Sequence, residues 1–333
     1  MPADIKPFAT TSDGRPVRRI RLTKGELTIT VLTFGAILQD VRLAGAPFSL
    51  TLGSDQIAAY EGPMGYFGAI VGPVANRIAG AAAEINGKPY SFDANEEAST
   101  TLHGGFLGTH AHIWEVADAA HDALTLTLHL PDGFGGFPGN RDITAHFALT
   151  APATLTLTLT ATTDAPTLMN LTNHSYWTLN GRSDTAGQTL RIAADTYLPV
   201  DDRRIPTGGQ PSVEGTKFDL RAGRLLDQTE DYDHNWCLAS APRALSFAAE
   251  LTAPNGLSLT IETTEPGLQL YDAARLNTAP YLGHAGQPYG KHAGLALEAQ
   301  RWPDAPNQRN FPSVTLAPGQ SHLQQTRYSF KRV

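Results

Sequence analysis

Cysteine is almost absent from this chain. Its 333 residues contain one, Cys237, which excludes an internal disulfide and any cysteine-rich metal site. Charge is scarce as well: 17% of residues are charged and the net charge is −7. No basic patch stands out, so neither nucleic acid nor an anionic membrane is an expected partner. No apolar run approaches the roughly 20 residues of a membrane-spanning helix. The start, Met1-Pro2-Ala3-Asp4-Ile5-Lys6-Pro7, lacks a basic segment followed by an apolar one. No signal peptide is therefore read, and a cytoplasmic location is expected. Helical periodicity is missing too. The alanine-rich pieces at 79–83 and 117–120 are short and have no sustained apolar face at helical spacing.

What the chain does have is alternation. Residues 124–130 (Leu-Thr-Leu-Thr-Leu-His-Leu), 155–160 and 257–263 place apolar and polar side chains in turn, and residues 28–33 begin the same way. That is the period of half-buried antiparallel strands. Turn residues separate them: Asn86-Gly87, Pro131-Asp132-Gly133, Asn180-Gly181, Pro254-Asn255-Gly256 and Pro318-Gly319. No repeat, linker or charge run divides the chain. The expected architecture is all-β, one domain over residues 1–333, a large antiparallel β-sandwich whose loops and concave face carry function.

Five stretches hold residues suited to chemistry. In the first, the apolar run 294–299 carries Glu298 and ends in Gln300-Arg301-Trp302-Pro303-Asp304. As a strand it puts Ala296, Glu298 and Gln300 on one face and Leu295, Leu297 and Ala299 on the other. Glu298 is then either a solvated outer residue or the floor of a site. In the second, Asn170, Thr172, His174 and Tyr176 share a face if residues 170–177 form one strand, a face suited to hydrogen bonding with a polyol. Trp177 points the other way, into packing. His103 precedes Gly104-Gly105, where a ligand can approach closely. Arg77, beside Asn76 in an apolar run, must snorkel, pair or meet a ligand. Residues 231–236 (Asp-Tyr-Asp-His-Asn-Trp) are a polar turn or a binding segment. Other apparent signals carry less. The glycine-rich stretch 132–139 has no following Lys-Ser/Thr or helix to hold phosphate. His110-Ala111-His112 has no third ligand at a recognisable metal-binding spacing, so no metal is expected.

These segments together resemble the aldose 1-epimerases, or galactose mutarotases. The resemblance rests on residues 71–78 (Val-Gly-Pro-Val-Ala-Asn-Arg-Ile), 102–105 (Leu-His-Gly-Gly), 170–181, 194–209, 232–236 and 297–312, which occur in the family's order and spacing. It implies the galactose mutarotase supersandwich fold and interconversion of the α and β anomers of a free aldohexose, with no cofactor. It further implies Glu298 as general base, His174 as general acid and His103 as an assisting group at the ring oxygen or neighbouring hydroxyls. Arg77, Asn76 and Asp233 would bind sugar hydroxyls, with Gln269 also lining the site. The polar face read above adds Tyr176. The chain departs from the family's pattern at Pro73, where many members have Arg, and at Trp177, Trp236 and Trp302, where Phe is commoner. These changes bear on substrate preference more than on the reaction.

The chemistry matches the residue types. Opening a cyclic hemiacetal removes a proton from the anomeric hydroxyl and delivers one to the ring oxygen. That takes an acid and a base on opposite sides of C1. The expected partner is a small aldose, and the expected assembly a monomer or homodimer. Three other readings compete. A hexose-6-phosphate epimerase needs cations beyond Arg77. A glycoside hydrolase needs two carboxylates across the scissile bond, such as Glu298 and Asp233. A non-catalytic sugar-binding module needs no acid–base pair.

Overall fold

A computed structural model describes residues 3–332. The alternating segments form strands with the expected register. Ala123–Leu130, Arg141–Thr150, Thr154–Thr163, His322–Arg332 and Leu257–Thr263 lie side by side in a nine-stranded antiparallel sheet. Their apolar positions face inward: Leu157, Leu159, Leu259, Ile261 and Tyr328 join one large core. Asn86-Gly87 closes the hairpin of Ala82–Ile85 and Lys88–Ser91 with positive φ at both residues (49° and 74°), as a two-residue hairpin turn requires. The one α-helix among the described residues is a single turn, Ile57–Tyr60.

A five-stranded sheet positions the chemistry. Its order is Tyr176–Trp177, Leu295–Gln300, Gly267–Tyr271, Asp233–Cys237 and Thr196–Leu198. The back of this sheet covers the same core as the nine-stranded sheet: Leu295, Leu297 and Ala299 join Leu268, Leu270 and Trp236 there. An N-terminal sheet of Asp4–Thr10, Pro16–Lys24, Leu27–Leu32 and Leu38–Leu43 adds Ile20, Leu22 and Ile29. Both faces of Leu295–Gln300 are therefore buried, and all six of its residues are inaccessible. Glu298 is no solvated outer residue.

Residues 170–177 do not form one strand. Thr172–Asn173 pairs with Ile70–Val71, whereas Tyr176–Trp177 pairs with Leu295–Gln300, and His174-Ser175 lies between them. The single polar face is thereby broken up. Asn170 uses its amide to clamp the backbone of Arg301, accepting from the nitrogen at 2.8 Å and donating to the carbonyl. Thr172 donates to the carbonyl of Ala299. These two polar side chains anchor the Glu298 strand, while His174 and Tyr176 continue into a cavity.

The three tryptophans that depart from the family's pattern are packing residues. Trp177 packs against Tyr328 and Phe330, Trp236 donates to the carbonyl of Phe218, and Trp302 donates to that of Pro266. Trp177→Ala removes a fully buried ring from the main core, and a loss of about 3–5 kcal/mol of unfolding free energy is expected in urea titration.

Candidate active site

The floor of the site follows from strand register. Glu298 stands opposite Gln269, and Gln269 opposite Asn235. One row away, Tyr176 and Tyr271 both stand opposite Ala296, and Tyr271 opposite Asp233. Directly opposed residues share a face, so Tyr176, Glu298, Gln269, Tyr271 and Asp233 all point away from the core. Gln300 shares that face but does not reach the cavity; its amide turns to the carbonyl of Arg301.

Loops supply the walls. His103 and Asn76 hold each other: the His103 backbone N–H donates to the Asn76 carbonyl at 3.0 Å, and the Asn76 backbone N–H donates to His103 Nδ1 at 3.1 Å. Both residues have positive φ, 52° and 61°. Gly104 follows because a side chain there would strike the Gly72 carbonyl. Arg77 comes next to Asn76. Its Nε and Nη2 form a fork with Glu96 at 2.7 Å each, and its Nη1 faces Asp233 at 3.6 Å. The Trp302-Pro303-Asp304 turn secures this wall from the far end of the Glu298 strand. The Asp304 carboxylate accepts from the Ala79 N–H, and the Asp304 N–H donates to the Arg77 carbonyl.

These groups enclose a cavity of 260 Å³. Of the residues singled out in the sequence, Glu298, His174, His103, Arg77, Asn76, Asp233 and Tyr176 line it. Gln269 does not. It shares the floor's face but donates its amide N–H to Asp233 at 2.7 Å, so it fixes that carboxylate. Sequence reasoning missed Tyr66, Glu96, Arg204, Tyr271 and Arg275, which also line the cavity, and named Asp231 only within the segment 231–236. Two of them had a signal: Tyr271 and Asp231 stand two positions from Gln269 and Asp233. The partner of Arg77 lies 19 residues on, and nothing local marks it.

Burial sets the electrostatics. His174 Nε2 lies 3.6 Å from Glu298 Oε1, with both side chains almost fully inaccessible. Desolvation drives the Glu298 carboxyl well above its ordinary range; nearby Asp233 adds to this and Arg77 opposes it. Desolvation also pushes His174 down to about 4. Both groups thus favour their uncharged forms, a protonated carboxyl beside a neutral imidazole. His103 is likewise held well below its usual value, by burial first, and the neighbouring His174 and Arg77 act in the same direction. Because its Nδ1 accepts from a backbone N–H, neutral His103 carries its proton on Nε2. Tyr66 fixes both rings, with centroids 4.7 Å from His103 and 6.0 Å from His174.

His103, His174 and Glu298 are also near enough to share a metal ion, with one ligand atom from each inside a 4.8 Å span. The tautomer opposes it. One nitrogen of His103 already accepts a hydrogen bond and the other bears the proton, so neutral His103 offers no free lone pair.

Comparison with known proteins gives a consistent pattern. A family model described as aldose 1-epimerase matches residues 18–329. The galactose mutarotase of Rattus norvegicus is 35% identical, covering 96% of this chain and 95% of its own. The aldose 1-epimerase of Escherichia coli (strain K12) is 33% identical, covering 97% of both. Among solved structures, an aldose epimerase homologue from C. elegans superposes with a TM-score of 0.88 at 32% identity, covering 95% of this chain and 99% of its own.

The division between wall and anchor is testable at Thr172. Thr172→Val removes one donor from the Ala299 carbonyl, which keeps the amide of Gln324 as a partner. We expect a loss of about 1 kcal/mol in urea unfolding, with KM unchanged within about twofold; a residue that touched the ligand would raise KM as well.

Proposed function

This chain belongs to the aldose 1-epimerase family, and from that premise we propose that Glu298 and His174 are the acid–base pair that opens and recloses the sugar ring. The enzyme interconverts the α and β anomers of free aldoses. Its substrates are free aldohexoses of the galactose and glucose type, and galactose is the sugar named in its relatives.

The observation that carries the reading is the buried pair, with carboxyl and imidazole 3.6 Å apart and both driven toward their uncharged forms by burial. In the charged form, Glu298 is a carboxylate and His174 an imidazolium. The carboxylate takes the proton from the anomeric hydroxyl as the imidazolium gives one to the ring oxygen. The C1–O5 bond breaks, its electron pair stays on the ring oxygen, and C1 becomes an aldehyde. The pair is then uncharged, which is the form that burial favours. Desolvation therefore stabilises the open-chain state. Rotation about C1–C2 presents the other face, and the same two transfers in reverse close the opposite anomer. The proton count balances within the pair.

The other groups orient the sugar. His103 presents a fixed Nε2–H donor toward the ring oxygen or its neighbours. Arg77, aimed by Glu96, and Asp233, held by Gln269, bind hydroxyls, as do Asn76 and Tyr176. The hydrolase reading is weaker. Asp233 is held by Gln269 and faces Arg77, which suits binding better than attack.

The test is polarimetry on freshly dissolved α-galactose and α-glucose. Purified protein should accelerate the drift to equilibrium, and no acceleration across several aldoses sinks the reading. Glu298→Gln should lower kcat by roughly 100-fold or more. The same variant should not unfold earlier at pH 8. A carboxyl raised in the folded state contributes most stability at low pH and loses it as pH rises through the folded pKa, so the isosteric amide removes a cost. Near-native turnover in Glu298→Gln would remove this residue as the base.

A further inference from the structure

The mouth of the cavity has a charge pattern that a neutral sugar does not need. Arg204, Asp231 and Arg275 line it. Asp231 sits between the two arginines and accepts from Nη2 of each, with Arg275 at 3.5 Å. Burial works against ionisation of Asp231, but the hydrogen bond and charge of Arg204 outweigh it and hold the carboxyl below its usual range. Asp231 faces both guanidinium groups, and the charge of Arg204 also reaches Asp233. Among the described residues, Nε and Nη1 of both arginines have no hydrogen-bond partner.

This mouth is built rather than incidental at Arg204. The Asp201 carboxylate accepts from the backbone N–H groups of Arg203 and Ile205, and the Arg204 N–H donates to the Asp201 carbonyl. The turn sets Arg204 at φ 64° and leaves its side chain only 16% exposed. Arg275 stands on the other side, its backbone N–H donating to the Tyr271 hydroxyl.

Register gives its place relative to the reaction. The Asp233–Cys237 strand lies two strands from Leu295–Gln300, about 9–10 Å at ordinary spacing. Asp231 precedes it. A pyranose with C1 at Glu298 and His174 and its C5 arm turned toward this strand brings C6 to the side of the two arginines.

We propose that this enzyme also anomerises hexuronates, aldoses whose C6 is a carboxylate, by pairing that carboxylate with Arg204 and Arg275. The proposal rests on the anomerisation reading above and uses the same proton transfers at C1. A guanidinium fork matches a planar carboxylate, and Nε and Nη1 of both arginines are left to supply one. A C6 phosphate brings up to two negative charges and meets Asp231 as a repelling neighbour. The arginines also revise the count for anionic sugars, since Arg77 is not the only cation at the cavity.

The experiment compares kcat/KM for galacturonate, galactose and galactose 6-phosphate, each from fresh single-anomer solution. The ratio of galacturonate to galactose should be at least one tenth and should exceed that of the phosphate. The double variant Arg204→Ala/Arg275→Ala should lower it at least fivefold, and Asp231→Asn should raise it. Because each readout is a ratio within one protein preparation, partial misfolding cancels. Absence of turnover on every aldose rejects the proposed function itself. Turnover of galactose with a galacturonate ratio below one tenth rejects only this inference. So does a phosphate preference, a fall of less than fivefold in the double variant, or no rise in Asp231→Asn.

Discussion

Everything at the site depends on burying an ionisable pair without giving each member a permanent counter-charge. A carboxylate and an imidazolium taken out of water cost far more than the same groups on the surface. Here the cost is met by keeping both groups uncharged. Glu298 and His174 are driven toward neutrality from opposite directions. A pair whose uncharged form burial favours, and whose charged form lies one proton transfer away, is suited to a reaction that moves one proton off a sugar as it moves another on.

The scaffold achieves this by sandwiching one strand. Leu295, Leu297 and Ala299 give the strand its place in the main core, and the strand in return carries Glu298 on its other face. Polar neighbours then fix its ends. Asn170 and Thr172 hold its backbone on one side, and Asp304 ties its exit to the Arg77 wall. Charge is balanced among the wall residues rather than at the pair. Glu96 takes two donors of Arg77 and Gln269 restrains Asp233. The sugar thus meets fixed donors and acceptors that need little reorganisation.

Much of this was legible in the sequence because the strand period is local. The alternation at 124–130, 155–160 and 257–263 gave strands at those positions, and the face assignment of Glu298 against Leu295 and Leu297 held in the register. The segment 170–177 misled for the same reason. Alternation assumes an unbroken strand, and His174-Ser175 interrupts it, so Asn170 and Thr172 became anchors. Gln269 lies on the correct face, yet its amide turns sideways to Asp233, a rotamer choice that strand register does not encode. Glu96, Tyr66 and Arg204 were invisible, because each acquires its role from a partner brought near only by folding.

The most direct test of the uncharged-pair account is a pH titration of the ring nitrogens in protein carrying ¹⁵N-labelled histidine. The account predicts that His174 stays neutral from pH 9 down to pH 5 and titrates only near 4, while His103 keeps its proton on Nε2 throughout that range. A His174 that takes up its proton near the ordinary value of 6.5 would contradict it, because the imidazolium would then be stable in the empty site and burial would not favour the uncharged pair.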